Sequence, residues 1–293
     1  SAAGLVTETD SNLVFISSSE TIVNSSKRHF AEGHSVLEAK DFADAAKRVK
    51  GDDALLASSA YTDNILSAFF DRSMRKYAGF FKDLGSWYSF SITNHEPTNV
   101  GIQGKLFYGS DQAYYLNVLR KGGTSGVSVA DVLPSDVEYV FSIPIKSISD
   151  YIKAYRDYLD SKVRLDSYVR ELASQRESCG QDAEIWAEGL RIKEVAVAGV
   201  FLSGELHKVL LIKPGKKHIV QSVQEVSNGG FARTLFGSLF AAEEETFCTS
   251  AGGWIVVGPK TCMEEYSSEG FLEETLKARL IGNGLEAELA SFF

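Results

Sequence analysis

The chain is poor in the residues that interrupt or staple a fold. Five prolines and three cysteines serve 293 residues, and no tract is of low complexity. That excludes a proline-rich or disordered linker protein. Cys179, Cys248 and Cys262 are an odd number, and none forms a CxxC pair, which excludes a complete disulfide framework. The five histidines (His29, His34, His95, His207, His218) have none of the short spacings of zinc sites, so neither a metal nor a cofactor is expected. No apolar run reaches the length of a membrane span, and no signal peptide is visible. For an exported protein, the targeting segment would lie outside this chain. Adjacent basic residues never exceed two, as at Lys27-Arg28 and Lys216-Lys217, and the net charge is −9. Nucleic-acid binding needs several cations on one face, so that class is excluded as well.

What is present is apolar and patterned. Hydrophobic residues make up 44% of the chain, enough for a large core. The length allows one large domain or two ordinary ones. The organising stretch is 132–214. It reads as a strand at 137–143 closed by Pro144, a long helix from Ser147 to about Arg176, a short helix at 181–190, and a hairpin of strands 194–202 and 206–213. Ser147 with Asp150 three residues on is close to a capping box. Along the long helix Tyr151, Tyr155, Tyr158 and Tyr168 share one stripe, which reads as a helix face lying on a sheet with the phenols reaching its rim. Both faces of the hairpin are apolar, so it is expected at the centre of its sheet.

The remaining elements follow by the same periodicities. Hairpins are expected at 5–9 with 13–17, at 87–93 with 100–108, and at 246–250 with 254–258. Single strands are expected at 54–61 and 219–223. Helices are expected at 20–28, 35–49, 64–77, 111–120, 231–240, 261–267 and 271–280, and a glycine-rich linker at 121–126. The order hairpin–helix–helix (unit A) opens and closes the chain. The order strand–helix–hairpin (unit B) occurs twice between, starting at Asp53-Ala54 and at Asp136-Val137. The chain therefore reads A, B, B, A, with a first half at 1–125 and a second at 126–293. The fold class is α+β, with antiparallel sheets, packed helices and duplicated strand–helix–hairpin units. The ends of the chain fall within this pattern as though cut from a longer repetitive protein.

Residues 13–17 with Ser19, the Gly33-His34-Ser35-Val36-Leu37 bend followed by Phe42, Tyr61, and Asp131-Val132-Leu133-Pro134-Ser135-Asp136 carry a family likeness. Through them, about half the chain resembles the bacterial envelope proteins that carry a domain of unknown function of the 3352 type. The resemblance implies a cell-envelope location, periplasmic or membrane-anchored, with an anchor N-terminal to this chain; an envelope protein partner is what a scaffold role would add. It brings no catalytic residues. In an oxidising envelope a Cys248–Cys262 bond is one arrangement, leaving Cys179 free.

Chemistry-bearing motifs are weak. Gly101-Ile102-Gln103-Gly104-Lys105-Leu106 has too short a spacing for a phosphate loop, and Leu106 stands where Ser or Thr would reach magnesium. Gly282-Asn283-Gly284 reads as a helix stop. Ser17-Ser18-Ser19 lies where a nucleophile elbow would, but lacks its glycines and reads as a helix cap. Glu243-Glu244-Glu245 reads as a solvated acidic patch. His207 and His218 flank one strand and read as rim histidines. No catalytic, cofactor-binding or metal-binding residue is therefore assigned. The favoured function is a non-enzymatic binding or scaffold module. The alternative is a hydrolase or a glycan- or lipid-binding protein whose site joins distant residues. Trp87, Trp186 and Trp254 would be its first contacts, although core packing is the expected role of each.

Overall fold

The computed structural model describes residues 4–10, 13–47, 49, 54–63, 67, 72, 75, 78–96, 99–108, 114–202, 204–216, 220–226, 230–242, 246–268 and 271–282. The chain forms two compact units, one of Ser1–Ser58 with Ser86–Gly109 and one of Ser59–Gly85 with Ser110–Phe293. Its class is α+β, and every paired strand is antiparallel to its neighbour. The helix expected at 64–77, apart from 67, 72 and 75, and the turn residues 11–12 lie outside the described residues.

The first unit contains β1 (Val6–Asp10) and β2 (Leu13–Ser17), then α1 (Glu20–Ala31) and α2 (Lys40–Lys47), then β3 (Ala54–Ser58), β4 (Trp87–Glu96) and β5 (Asn99–Phe107). Its strands form two sheets, β1-β2 and β3-β4-β5. Helix α1 lies on the hairpin through Phe30, whose ring meets Phe15 at 6.2 Å. The helix expected across 35–49 is a single 3-10 turn at Val36–Glu38 followed by α2. The break falls at Ala39, which is extended, while the Ser35 side chain satisfies the Leu37 N–H ahead of it.

The second unit opens on a 3-10 turn at Ser59–Tyr61 and contains α3 (Ala78–Lys82), α4 (Tyr115–Gly122) and β6 (Val137–Pro144). Three helices follow: α5 (Ile148–Ser161), α6 (Leu165–Cys179) and α7 (Ala183–Leu190). The remaining elements are β7 (Glu194–Leu202), β8 (Glu205–Lys213), β9 (Gln224–Glu225), α8 (Gly230–Phe236), β10 (Phe247–Ala251), β11 (Trp254–Gly258), α9 (Lys260–Tyr266) and α10 (Leu276–Gly282). Its strands make one six-stranded sheet in the order β6-β7-β8-β11-β10-β9, with β7 and β8 inside it as their two apolar faces require. On one face Ala196, Ala198, Val209, Leu211, Trp254 and Val256 pack against Val129, Val132, Leu133, Met263 and Tyr266. The alternate residues Val195, Val197, Leu210 and Ile212 point to the opposite face and are 3% exposed or less.

The long helix expected from 147 to 176 is two helices. Ser147 caps α5 by accepting the Asp150 N–H at 3.3 Å. The chain then turns at Lys162-Val163-Arg164, where Val163 takes φ 56°. A straight helix of about 30 residues would be about 45 Å long, well beyond a nine-residue strand of about 30 Å. The turn brings Tyr168 back against Tyr155, ring centroids 5.6 Å apart, and buries Leu172. The strand expected at 219–223 is not formed in its described part, 220–223. Val220 donates its N–H to the Ser250 side chain instead, and pairing with β10 is confined to Gln224 and Glu225. The last helix begins at Leu276 rather than at 271. The glycine-rich segment lies inside this unit, where Gly122 ends α4 and a Cβ there would meet the Tyr151 Cβ at 3.0 Å.

The two strand–helix–hairpin segments share one pairing scheme. Ser58, Trp87 and Phe107 form a lateral row across β3-β4-β5, and Pro144, Glu194 and Lys213 form the same row across β6-β7-β8. The residue before each middle strand donates to the end of the third. Ser86 N–H reaches the Phe107 carbonyl at 2.7 Å and Lys193 N–H reaches that of Lys213 at 2.8 Å.

Candidate functional site

A cleft of about 420 Å³ opens in the second unit between α7 and the sheet. Leu210 and Ile212 of β8 with Ile255 and Val257 of β11 form its floor. Ile185, Trp186, Gly189 and Leu190 of α7 form one wall, and Val220, Val226 and Ala232 close the other. Polar groups enter from Gln181, Gln224, Glu225 and the Cys248 thiol. The volume is that of a small-molecule pocket, and the lining combines apolar walls with a polar rim.

The wall helix α7 is fixed at both ends. Asp182 caps it, accepting the Ile185 N–H at 3.0 Å while paired with Arg176. Gln175 accepts the Ala183 N–H at 3.2 Å. Arg156 grips the Glu184 carboxylate with two bonds of 2.7 Å, and Tyr168 donates to it at 2.7 Å. At the other end Arg191 takes φ 55°, and the Leu190 carbonyl accepts from Gly215 at 3.0 Å. A helix held this way presents its cleft residues with little ordering left to do on binding.

Cys248 is 7% exposed, and burial pushes its thiol pKa up. It is a slow nucleophile that faces the cleft. Cys262 packs in the core on the opposite face of the sheet, so the sheet separates the two, and none of the three cysteines is in a disulfide. The Cys248–Cys262 bond is thereby corrected.

Two polar clusters lie apart from the cleft. Glu194, at 0% exposure, accepts from the Ser128 N–H at 2.9 Å, the Ser128 hydroxyl at 2.8 Å, the Val129 N–H at 3.2 Å and the Ser142 hydroxyl at 2.7 Å. Lys213 donates to the Ser128 oxygen at 2.6 Å. This serine and lysine resemble a nucleophile and its base, but Lys213 is the donor and the hydroxyl proton is spent on Glu194. The cluster ties the segment before β6 to the sheet. In the second cluster Tyr151 donates to the Leu235 carbonyl at 2.9 Å. Its single proton is thereby used, so Tyr115 donates across the 2.5 Å contact between the two hydroxyls. Tyr115, Tyr155 and Tyr158 border a cavity of about 160 Å³ that also receives Asp83 and Arg164.

Of the three tryptophans, Trp254 is 2% exposed in the core and Trp87 packs on Phe42 at 4.8 Å. Trp186 lines the cleft, its ring 5.7 Å from that of Phe231. Trp186 thus both packs on the buried Phe231 and lines the cleft. Residues 101–106 are extended strand in β5 rather than a phosphate loop. Ser19 stands at the N-cap of α1 without a side-chain bond, and Ser17 Oγ accepts its N–H at 3.1 Å. His207 is half-buried in β8 opposite Val200. His218, Glu243-Glu244-Glu245 and Asn283-Gly284 lie outside the described residues. Among the described residues, no three His, Cys, Asp or Glu side chains converge as metal ligands would, and no helix is long and apolar enough to cross a membrane.

No protein-family model, no curated protein and no solved structure matches this chain.

Proposed function

We propose that this chain is a non-enzymatic binding module and that the α7 cleft takes the apolar part of its ligand, an acyl chain or a group of similar size. The observation that carries this reading is the cleft itself, about 420 Å³ with a floor of Leu210, Ile212, Ile255 and Val257. Gln181, Gln224 and Glu225 stand where a polar end of the ligand would be met. An apolar floor favours lipid over glycan, because sugar hydroxyls would be left without partners there. Placement in the bacterial cell envelope, with a protein partner and an N-terminal anchor, belongs to the same proposal. It rests on the resemblance carried by 13–17, 33–37 and 131–136.

Cys248 supplies the test, since it reports on occupancy from within the cleft. In a chain carrying Cys179→Ser, saturating anilinonaphthalenesulfonate is expected to slow labelling of Cys248 by a maleimide by on the order of tenfold. Peptide mapping confirms the labelled position. Binding of the dye with no change in the labelling rate would place it elsewhere and remove the cleft from the account.

A further inference from the structure

The duplicated architecture contains one junction that is closed in the second unit and open in the first. In the second unit the hairpin β10-β11 is joined to the strand–helix–hairpin segment through β11 and β8, with Ile255 opposite Ile212, Val256 opposite Leu211 and Val257 opposite Leu210. In the first unit the equivalent hairpin is β1-β2. It is followed by a helix, as β11 is followed by α9, and Phe15 faces that helix as Val256 faces Met263. Yet β2 pairs only with β1, and β5, the counterpart of β8, pairs only with β4, among the described residues.

The exposed side chains follow from this difference. Ile255 and Val257 are 8% and 5% exposed, whereas Val14 and Ile16 at the matching positions are 59% and 61% exposed. Neither strand carries much sequence protection along its edge. Leu13-Val14-Phe15-Ile16-Ser17 carries no charge and no proline, and the 99–107 stretch carries a single lysine. Native edge strands are ordinarily protected by such residues, by bulges or by a cover.

We propose that the open edge of β2 docks the open edge of β5 from a second copy of the chain. The shared rows Trp87–Phe107 and Glu194–Lys213 carry the register across from the closed junction. Val14 then lies opposite Leu106, Phe15 opposite Lys105 and Ile16 opposite Gly104. The pairing joins two apolar surfaces into one. Val14 continues the row Ala57–Tyr88–Leu106, and Ile16 continues the row Leu55–Phe90–Gly104. Leu55, itself 63% exposed, lies on the same face. Both complementary edges belong to one unit, and the assembly proposed is the two-fold exchange in which each copy's β2 docks the other's β5.

The test uses full-length chains carrying Cys179→Ser. One bears Val14→Cys, the other Leu106→Cys, and the two are mixed and oxidised. A disulfide joining positions 14 and 106 of different chains is expected, with no product when Val14→Cys is mixed with Lys105→Cys, because successive strand residues point to opposite faces. Sedimentation is expected to give a dimer whose dissociation constant rises by at least about tenfold in Ile16→Asp. That side chain is already 61% exposed, so the circular dichroism of the variant should match the parent. The proposal is overturned by a parent chain that stays monomeric throughout the micromolar range, by a dimer indifferent to Ile16→Asp, by a bond in another register, or by a Val14→Cys/Leu106→Cys chain that closes the bond within itself.

Discussion

Raising the pH past 10 is expected to unfold the second unit in one steep transition. Burial holds the Tyr115 and Tyr151 phenols well above their usual value of 10.0, lifts Tyr155 to about 12, and raises Tyr158, Tyr168 and Tyr266 further. Below pH 10 these groups are neutral in both states and contribute no pH dependence. Above it the unfolded chain releases its phenolic protons while the folded chain keeps them, so the unfolded state binds fewer protons and stability falls. Each such tyrosine costs about 1.4 kcal/mol per pH unit. Six together approach about 8 kcal/mol per unit, comparable to the whole stability of an ordinary domain. Tyrosinate absorbance should therefore rise in step with the loss of far-ultraviolet circular dichroism. Smooth ionisation of all twelve tyrosines near pH 10 with the dichroism intact would mean that the tyrosine layer is open to water.

Replacing Glu194 with Ala is expected to cost about 3–5 kcal/mol in urea unfolding, the range for removing one partner from a buried charged network. The substitution leaves the Val129 N–H and the Ser142 hydroxyl without their acceptor at 3.2 and 2.7 Å, and frees the Ser128 segment from the end of β7. Glu194→Gln keeps the shape and one acceptor oxygen but turns an NH₂ group toward donors, and is expected to cost about 1–2 kcal/mol. A loss below about 1 kcal/mol for Glu194→Ala would show that water replaces the carboxylate and that the segment is not held by it.

The parts of this fold that can be read in the sequence are those governed by local periodicity. The alternation through 194–202 and 206–213 gives both the hairpin and its central place in the sheet, because two apolar faces have no other stable position. The repeated strand–hairpin order is legible for the same reason. The turn at Lys162-Val163-Arg164 is not, since it contains neither glycine nor proline and places a β-branched residue at positive φ. Tertiary packing of Tyr168 and Leu172 decides it. Glu194 opens an apolar strand, and only its partners at 128, 129 and 142 reveal it as a buried anchor. The cleft was equally hidden, for its lining runs from Gln181 to Val257 over several elements and forms no spacing within any one of them. Trp186 and Cys248 are the lining residues that the sequence singles out, the first only as an aromatic and the second only as half of a disulfide.

Calorimetric titration of the full chain with dodecanoate, beside a Gly189→Leu variant, tests the binding account most directly. Gly189 lines the cleft on α7, and a Cβ there meets nothing within 4 Å, so leucine can be placed at the cleft wall without a clash at its Cβ. Leucine also favours the helix over glycine by up to about 1 kcal/mol, so the variant should be at least as stable as the parent. The account predicts saturable binding of one dodecanoate per chain in the parent, and a dissociation constant raised by on the order of tenfold or more in the variant. Equal affinity in the two chains, or no saturable heat in the parent, would contradict the assignment of this cleft as the binding site.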